Sequence, residues 1–149
     1  MNKLVTTLMI LGAAVIAIAA QHEEVVIPAK ISAEDAAGAI FKRDNMIRTE
    51  RKNGNVTLDV TTLLSSDKKF SSGMYSSGKT RSEITGAYGV DEFMYFLTGG
   101  VTLTSSDGTV TTINAGEAVT IPKEWIGIWD TDGYTKIWVI YSADGSYFK

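Results

Sequence analysis

The run Phe93-Met94-Tyr95-Phe96-Leu97-Thr98-Gly99-Gly100-Val101-Thr102-Leu103-Thr104, followed by Ser105-Ser106-Asp107-Gly108 and Thr109-Val110-Thr111-Thr112-Ile113, decides the fold class. Phe93 to Leu97 is aromatic and apolar throughout, which predicts a strand buried on both faces. Thr98-Gly99-Gly100 is expected to end it, and Val101 to Thr104 resumes in alternation. Asp107-Gly108 lies between two Thr/Val-rich runs, where glycine can take the positive φ of a tight hairpin. Working outward, Ala118 to Ile121, Ile126 to Trp129 and Lys136 to Tyr141 read as further strands, with a turn at Asp132-Gly133. Toward the N-terminus, Val56 to Val60 alternates cleanly. Ser65 to Lys69 and the Ser/Gly cluster from Ser71 to Gly78 read as turns around a short Met74-Tyr75 segment, and Thr80 to Tyr88 as a strand of mixed face. No helical periodicity of any length follows Phe41. The pattern predicts an all-β, antiparallel domain with two sheets face to face.

Ahead of the strands, Gln21 to Asn55 reads as a lead-in. Val25-Val26-Ile27 before Pro28 suits an edge strand. Ser32-Ala33-Glu34-Asp35 has the form of a helix start, with Ser32 as N-cap and carboxylates in the first turn. Ala36 to Phe41 is expected to continue that helix for two or three turns. The basic residues Lys42, Arg43, Arg48, Arg51 and Lys52 alternate with Asp44 and Glu50, the pattern of a solvated face. Residues Met1 to Ala20 differ from everything else: Lys3 precedes an uncharged stretch from Leu4 to Ala20, and Ala17-Ile18-Ala19 fits a small-x-small cleavage site. These are the parts of a secretory signal peptide, with a retained membrane anchor as the competing reading. The expected organisation is a signal peptide over 1–19, a lead-in over 20–55 and a β-barrel over 56–149, in a periplasmic or secreted protein.

The composition supports one globular domain: 149 residues, of which 44% are hydrophobic and 21% charged. Fourteen Lys and Arg stand against 17 Asp and Glu, a balance unsuited to nucleic acid. With no Cys and a single His, His22, the chain has no disulfides and cannot assemble an ordinary Cys/His zinc site.

The stretch from Tyr88 through Asp91-Glu92-Phe93 to Gly99-Gly100, then Gly116-Glu117-Ala118-Val119-Thr120-Ile121-Pro122 and Gly127-Ile128-Trp129, resembles the two motifs of a cupin domain. More narrowly, it resembles the exported, single-domain form of the ureidoglycine aminohydrolase-like branch. The resemblance implies a cupin jelly roll, with a short N-terminal helix ahead of it. Metal-binding cupins supply His-x-His and a Glu from the first motif and a further His from the second. Glu92 stands at the place of the Glu, but the expected His positions fall on Tyr88 or Ala87, on Gly86 or Thr85, and on Gly127. A first-row metal needs several such donors to compete with water, so neither a metal nor another cofactor is expected.

Glu92 is the candidate catalytic residue. A carboxylate aimed into an aromatic barrel could act as general acid or base, or accept hydrogen bonds from a ligand; alternatively it pairs with Arg81, Lys79 or Lys123, or with Tyr hydroxyls, and only orders the strand end. Tyr88, Glu92, Tyr95, Trp125 and Trp129 are the candidate ligand-binding set, since indole and phenol rings near a barrel mouth can stack on a ring or a sugar face. Trp138, inside an apolar run, is expected in the core. Three functions follow: a binder of a small polar or cyclic molecule, a metal-independent hydrolase, isomerase or lyase, or a structural jelly roll with a filled barrel. The expected partner is a small molecule, with no nucleic acid, no membrane after signal removal, and a homodimer as an option.

Overall fold

The computed structural model describes residues 25–148. The signal segment and His22 lie outside them. Seven strands form one antiparallel sheet: β1 (Ile47–Glu50), β2 (Val56–Leu64), β3 (Phe70–Ile84), β4 (Asp91–Ser105), β5 (Val110–Asn114), β6 (Ala118–Ile121) and β7 (Gly127–Tyr141). Their order is β1-β2-β3-β7-β4-β5, with β6 paired to β4 as well. β7 is therefore central, bonded along its length to β3 on one side and to β4 on the other. The free edge of β4 is shared, β6 covering Glu92 to Tyr95 and β5 covering Gly100 to Thr104. This is the expected all-β antiparallel architecture with a short N-terminal helix. The two facing layers are halves of one continuous sheet.

Three strands of 15 residues each, β3, β4 and β7, carry the cup. The sequence breaks them at glycines, whereas the structure runs straight through: Gly78, Gly99-Gly100 and Gly133 sit inside strands, and register irregularities bracket Phe96/Thr98 and Gly100/Thr102. The buried set changes parity there, from Glu92, Met94 and Phe96 to Val101 and Leu103 on β4, and from Trp129 and Thr131 to Tyr134, Lys136, Trp138 and Ile140 on β7. Glycine is required at this corner because the backbones nearly touch. A Cβ on Gly99, whose φ is +66°, would lie 2.0 Å from the carbonyl oxygen of Gly133. Positive φ and close approach together leave no room for a side chain. The Ser71 to Gly78 cluster, expected as loop, is accordingly most of β3.

The Phe93 to Leu97 run is not buried on both faces. It alternates, with Met94 and Phe96 fully buried and Phe93 and Tyr95 at 43% and 38% exposure. Length and apolarity fit a doubly buried strand, but the outer face of this part of β4 lacks a covering layer. The lead-in covers a neighbouring part: Ile40 packs with Val60 and Met74, flanked by Ile31, Phe41, Met46, Leu97 and Ile137. Ser32 caps a single α turn, α1 (Ala33–Ala36), in a reciprocal box with Asp35. Gly38, at φ +110°, ends it, and a 3₁₀ turn over Ala39–Lys42 follows in place of the longer helix. Val25-Val26-Ile27 is exposed and joins no strand. The basic face beyond it contains β1, a fully exposed edge strand registered from Ile47 opposite Asp59 to Glu50 opposite Val56.

Candidate functional site

The alternation of β2 carries one polar series inward: Asn55, Thr57, Asp59 and Thr61 all line a cavity of about 560 Å³. β3 adds Tyr75, Ser77, Thr80 and Ser82 to the same wall. Beside it β7 contributes Trp129, Tyr134, Lys136 and Trp138, and the lining is completed by Glu92 from β4, Tyr88 from the loop before β4, and Tyr147 from the C-terminal 3₁₀ turn (Ser146–Phe148). The hydroxyls and amides come from one wall and most of the rings from the other elements.

At the floor, Glu92 and Lys136 form an ion pair of 2.7 Å, their side chains only 5% and 6% exposed. Cross-strand register explains how they meet. Lys136 is opposite Phe96 on one side and Tyr75 on the other, whereas Glu92 is opposite Ile140. The lysine therefore extends along the sheet past Met94, whose Sδ accepts a second hydrogen bond from Nζ at 2.8 Å. The rings of Trp129, Tyr75 and Tyr134 surround the ammonium at 5.2, 5.6 and 5.8 Å from their centroids, close enough for their negative faces to attract it. The hydroxyl of Tyr88 donates to the other oxygen of Glu92. Burial and the neighbouring Glu92 charge push the Tyr88 phenol well above its ordinary value, so it stays a donor. Burial raises Tyr134 as well.

Asp59 is the second carboxylate of the cavity. Its Oδ1 accepts from the Trp138 indole Nε1–H at 3.2 Å, and desolvation raises its pKa above the ordinary carboxylate value, against the smaller effects of the indole and of Lys136. The indole reaches Asp59 because Gly73 lies between them. A Cβ there would stand 2.6 Å from the Trp138 ring and 2.1 Å from the Val60 carbonyl oxygen.

Of the sequence-derived set, Tyr88, Glu92 and Trp129 meet in the cavity. Trp125 lies behind it, edge-on to Tyr88 at 6.3 Å and donating from Nε1 to Ser105 Oγ at 3.1 Å. Tyr95 is on the opposite face of β4 from Glu92, as an odd residue spacing on a strand requires. Glu92 pairs with none of Arg81, Lys79 or Lys123: Lys79 pairs with Asp132, Arg81 with Asp130 and Lys123 with Glu124. Trp138 is buried and also forms cavity wall. Sequence reasoning passed over Lys136 and Asp59. The available signal was parity, since Lys136 shares a face with Trp138 and Ile140, and a charge on the buried face of a central strand needs a partner.

The donor set does not fit a transition metal. Among the described residues no three His, Cys, Asp or Glu side chains come together, and the carboxylate a metal would need is held by an ammonium and a phenol.

Residues 64–136 match the family model described as the EutQ-like cupin domain. Among solved structures, a protein of unknown function from Pseudomonas syringae pv. tomato superposes with a TM-score of 0.57 at 14% identity, over 64% of this chain and 43% of that one. The chain thus spans less than half the length of that relative. The Clostridium difficile EutQ protein superposes with a TM-score of 0.52 at 18% identity, over 67% of this chain and 97% of the other. An RmlC-like cupin from Shewanella frigidimarina gives 0.51 at 12% identity, over 71% and 91% of the two chains. No curated protein matches the sequence. The matched segment runs from the end of β2 to Lys136 and holds the glycine corner, Glu92 and Trp129; over it the chain is similar to the EutQ-like cupin domain, and its fold is that of a cupin.

Proposed function

We propose that this protein is an exported cupin that binds a small polar or cyclic molecule in its cavity without a transition metal. The observation that carries the reading is the buried Glu92–Lys136 pair at the cavity floor. An ammonium occupies the carboxylate that a metal would require, and the surrounding hydroxyls and rings converge on open space. A volume of about 560 Å³ is in the range of small-molecule sites, which favours binding or catalysis over a filled structural barrel. Support for export is the N-terminal stretch of the sequence, Lys3 followed by an uncharged run and the Ala17-Ile18-Ala19 triplet.

Metal analysis of the purified protein, run beside a thermal-shift screen of small metabolites, tests this. No stoichiometric metal and a ligand-dependent rise in melting temperature are expected. Tightly held iron, manganese or nickel would overturn the proposal.

A second reading is a metal-independent enzyme, in line with the ureidoglycine aminohydrolase-like motifs. Its specific support is the hydrogen-bonded series Tyr88–Glu92–Lys136, which could hold and pass a proton. Glu92→Gln separates the two readings, abolishing turnover in an enzyme and only weakening affinity in a binder.

A further inference from the structure

The charges in the cavity are not evenly matched. Lys136 is compensated by Glu92 at 2.7 Å, so that pair offers a ligand little net charge. Asp59 has no such partner: among the described residues no Lys or Arg nitrogen lies within ion-pair distance of it, and its recorded side-chain bond is to a neutral indole. The other cation of the lining, Arg51, stands at the exposed rim. Its backbone N–H bonds the carbonyl of Asn55 at 2.8 Å, four strand residues from Asp59, and its charge bears on the Tyr134 hydroxyl. The unmatched charge at the floor is therefore negative.

Around Asp59 the wall is built of neutral hydroxyl and amide groups, Thr57, Thr61, Ser77 and Asn55 among them, with the ring of Tyr75, the cross-strand neighbour of Asp59, beside it. Hydroxyl-bearing ligands suit such a wall, because each Ser, Thr or Asn side chain can both donate and accept. A ring face suits Tyr75, which keeps part of its surface open. The aromatic groups already hold one ammonium, that of Lys136, at cation–π distance.

We propose that the cavity takes a polyhydroxylated ring bearing an amine, of the amino-sugar or aminocyclitol class, with the ligand ammonium on the Asp59 carboxylate. This rests on the small-molecule reading above and names its ligand. Pairing would relieve the desolvation that now disfavours the charged form of Asp59. Anionic rings would instead meet the uncompensated Asp59 carboxylate.

The test is calorimetric titration of the full chain with two matched series, D-glucosamine, D-glucose and D-glucuronate, and their D-galactose counterparts. In at least one series the amine should bind at least tenfold more tightly than the neutral sugar, and the uronate most weakly. Asp59→Asn should erase the preference for the amine, bringing amine and neutral sugar within about threefold of each other; the wild-type ranking decides the question even if that variant does not fold. A uronate that binds best, or an amine no better than the neutral sugar, overturns the ligand class while the small-molecule reading stands. If neither series binds and the metabolite screen yields another ligand, the class alone fails; if nothing binds in either experiment, both fail.

Discussion

Glu92 and Lys136 place opposite charges in a nearly water-free floor, and the energetics of such a pair are asymmetric. Removing one partner strands the other as an uncompensated buried charge, at a cost of about 3–5 kcal/mol, whereas replacing both by apolar groups can be close to neutral. Glu92→Gln and Lys136→Met should each lower stability by roughly that amount in urea unfolding, and the double variant should recover most of the loss. Equal additive losses would show that the two side chains do not act as a pair. Asp59 makes a pH prediction of the opposite kind to the surface carboxylates. Because its folded-state pKa is raised, folding favours the protonated form; the associated stability is present below the ordinary 3.8 and is lost as pH rises through the folded value. Asp35, Asp67, Asp107, Asp132 and Asp144 are lowered by local hydrogen bonds and act below 3.8, losing stability as pH falls. Melting curves of wild type and Asp59→Asn should therefore diverge as pH rises above 3.8, with the variant melting higher at neutral pH. Glu92 itself was legible from its motif position. Its partner was not, because Lys136 lies 44 residues away and only the sheet register brings the two together.

At the scale of the strand, glycines played two roles that look alike in sequence. Gly108 closes the β4–β5 hairpin at φ +85° with open space around it, whereas Gly99 takes φ +66° in the middle of β4 with the Gly133 carbonyl against its Cα. Gly108→Ala should cost about 1–2 kcal/mol, the left-handed penalty alone. Gly99→Ala adds a backbone collision and should cost more than about 3 kcal/mol, or prevent folding, as read by denaturant midpoints. Similar losses at both positions would show that the corner relaxes freely. The hairpin was readable because Asp-Gly between alternating runs has a local mechanism. The corner was not, since its need for glycine arises from a strand more than thirty residues away. The same limit applies to the Phe93 to Leu97 run: apolarity says that a strand is there, but which of its faces is covered depends on where the lead-in packs. Strand existence from Val56 onward was mostly legible, while the unbroken length of β3, β4 and β7 was concealed by their glycines.

For the whole molecule, the cupin architecture could be read from two motifs and their spacing, and the cavity follows from it in position though not in lining. The lining draws on β2 and the hairpin before it, outside the matched segment, as well as on β3 within it. Truncation gives a measure of how the parts depend on one another. A chain ending before Gly127 lacks β7, the strand that joins β3 to β4. It should show no cooperative melting transition in calorimetry, whereas loss of the few residues after Tyr141 should leave one.

The position of β7 also bears on how the protein comes into being. In chain order β3 and β4 precede it, and each keeps a bare hydrogen-bonding edge until the strand between them pairs. Hairpins can form early, yet closure waits on β7 joining both. Such an arrangement makes for slow, non-local folding and leaves the unclosed chain open to edge-to-edge pairing, so its yield in a cell should be governed by what guards those edges before β7 pairs.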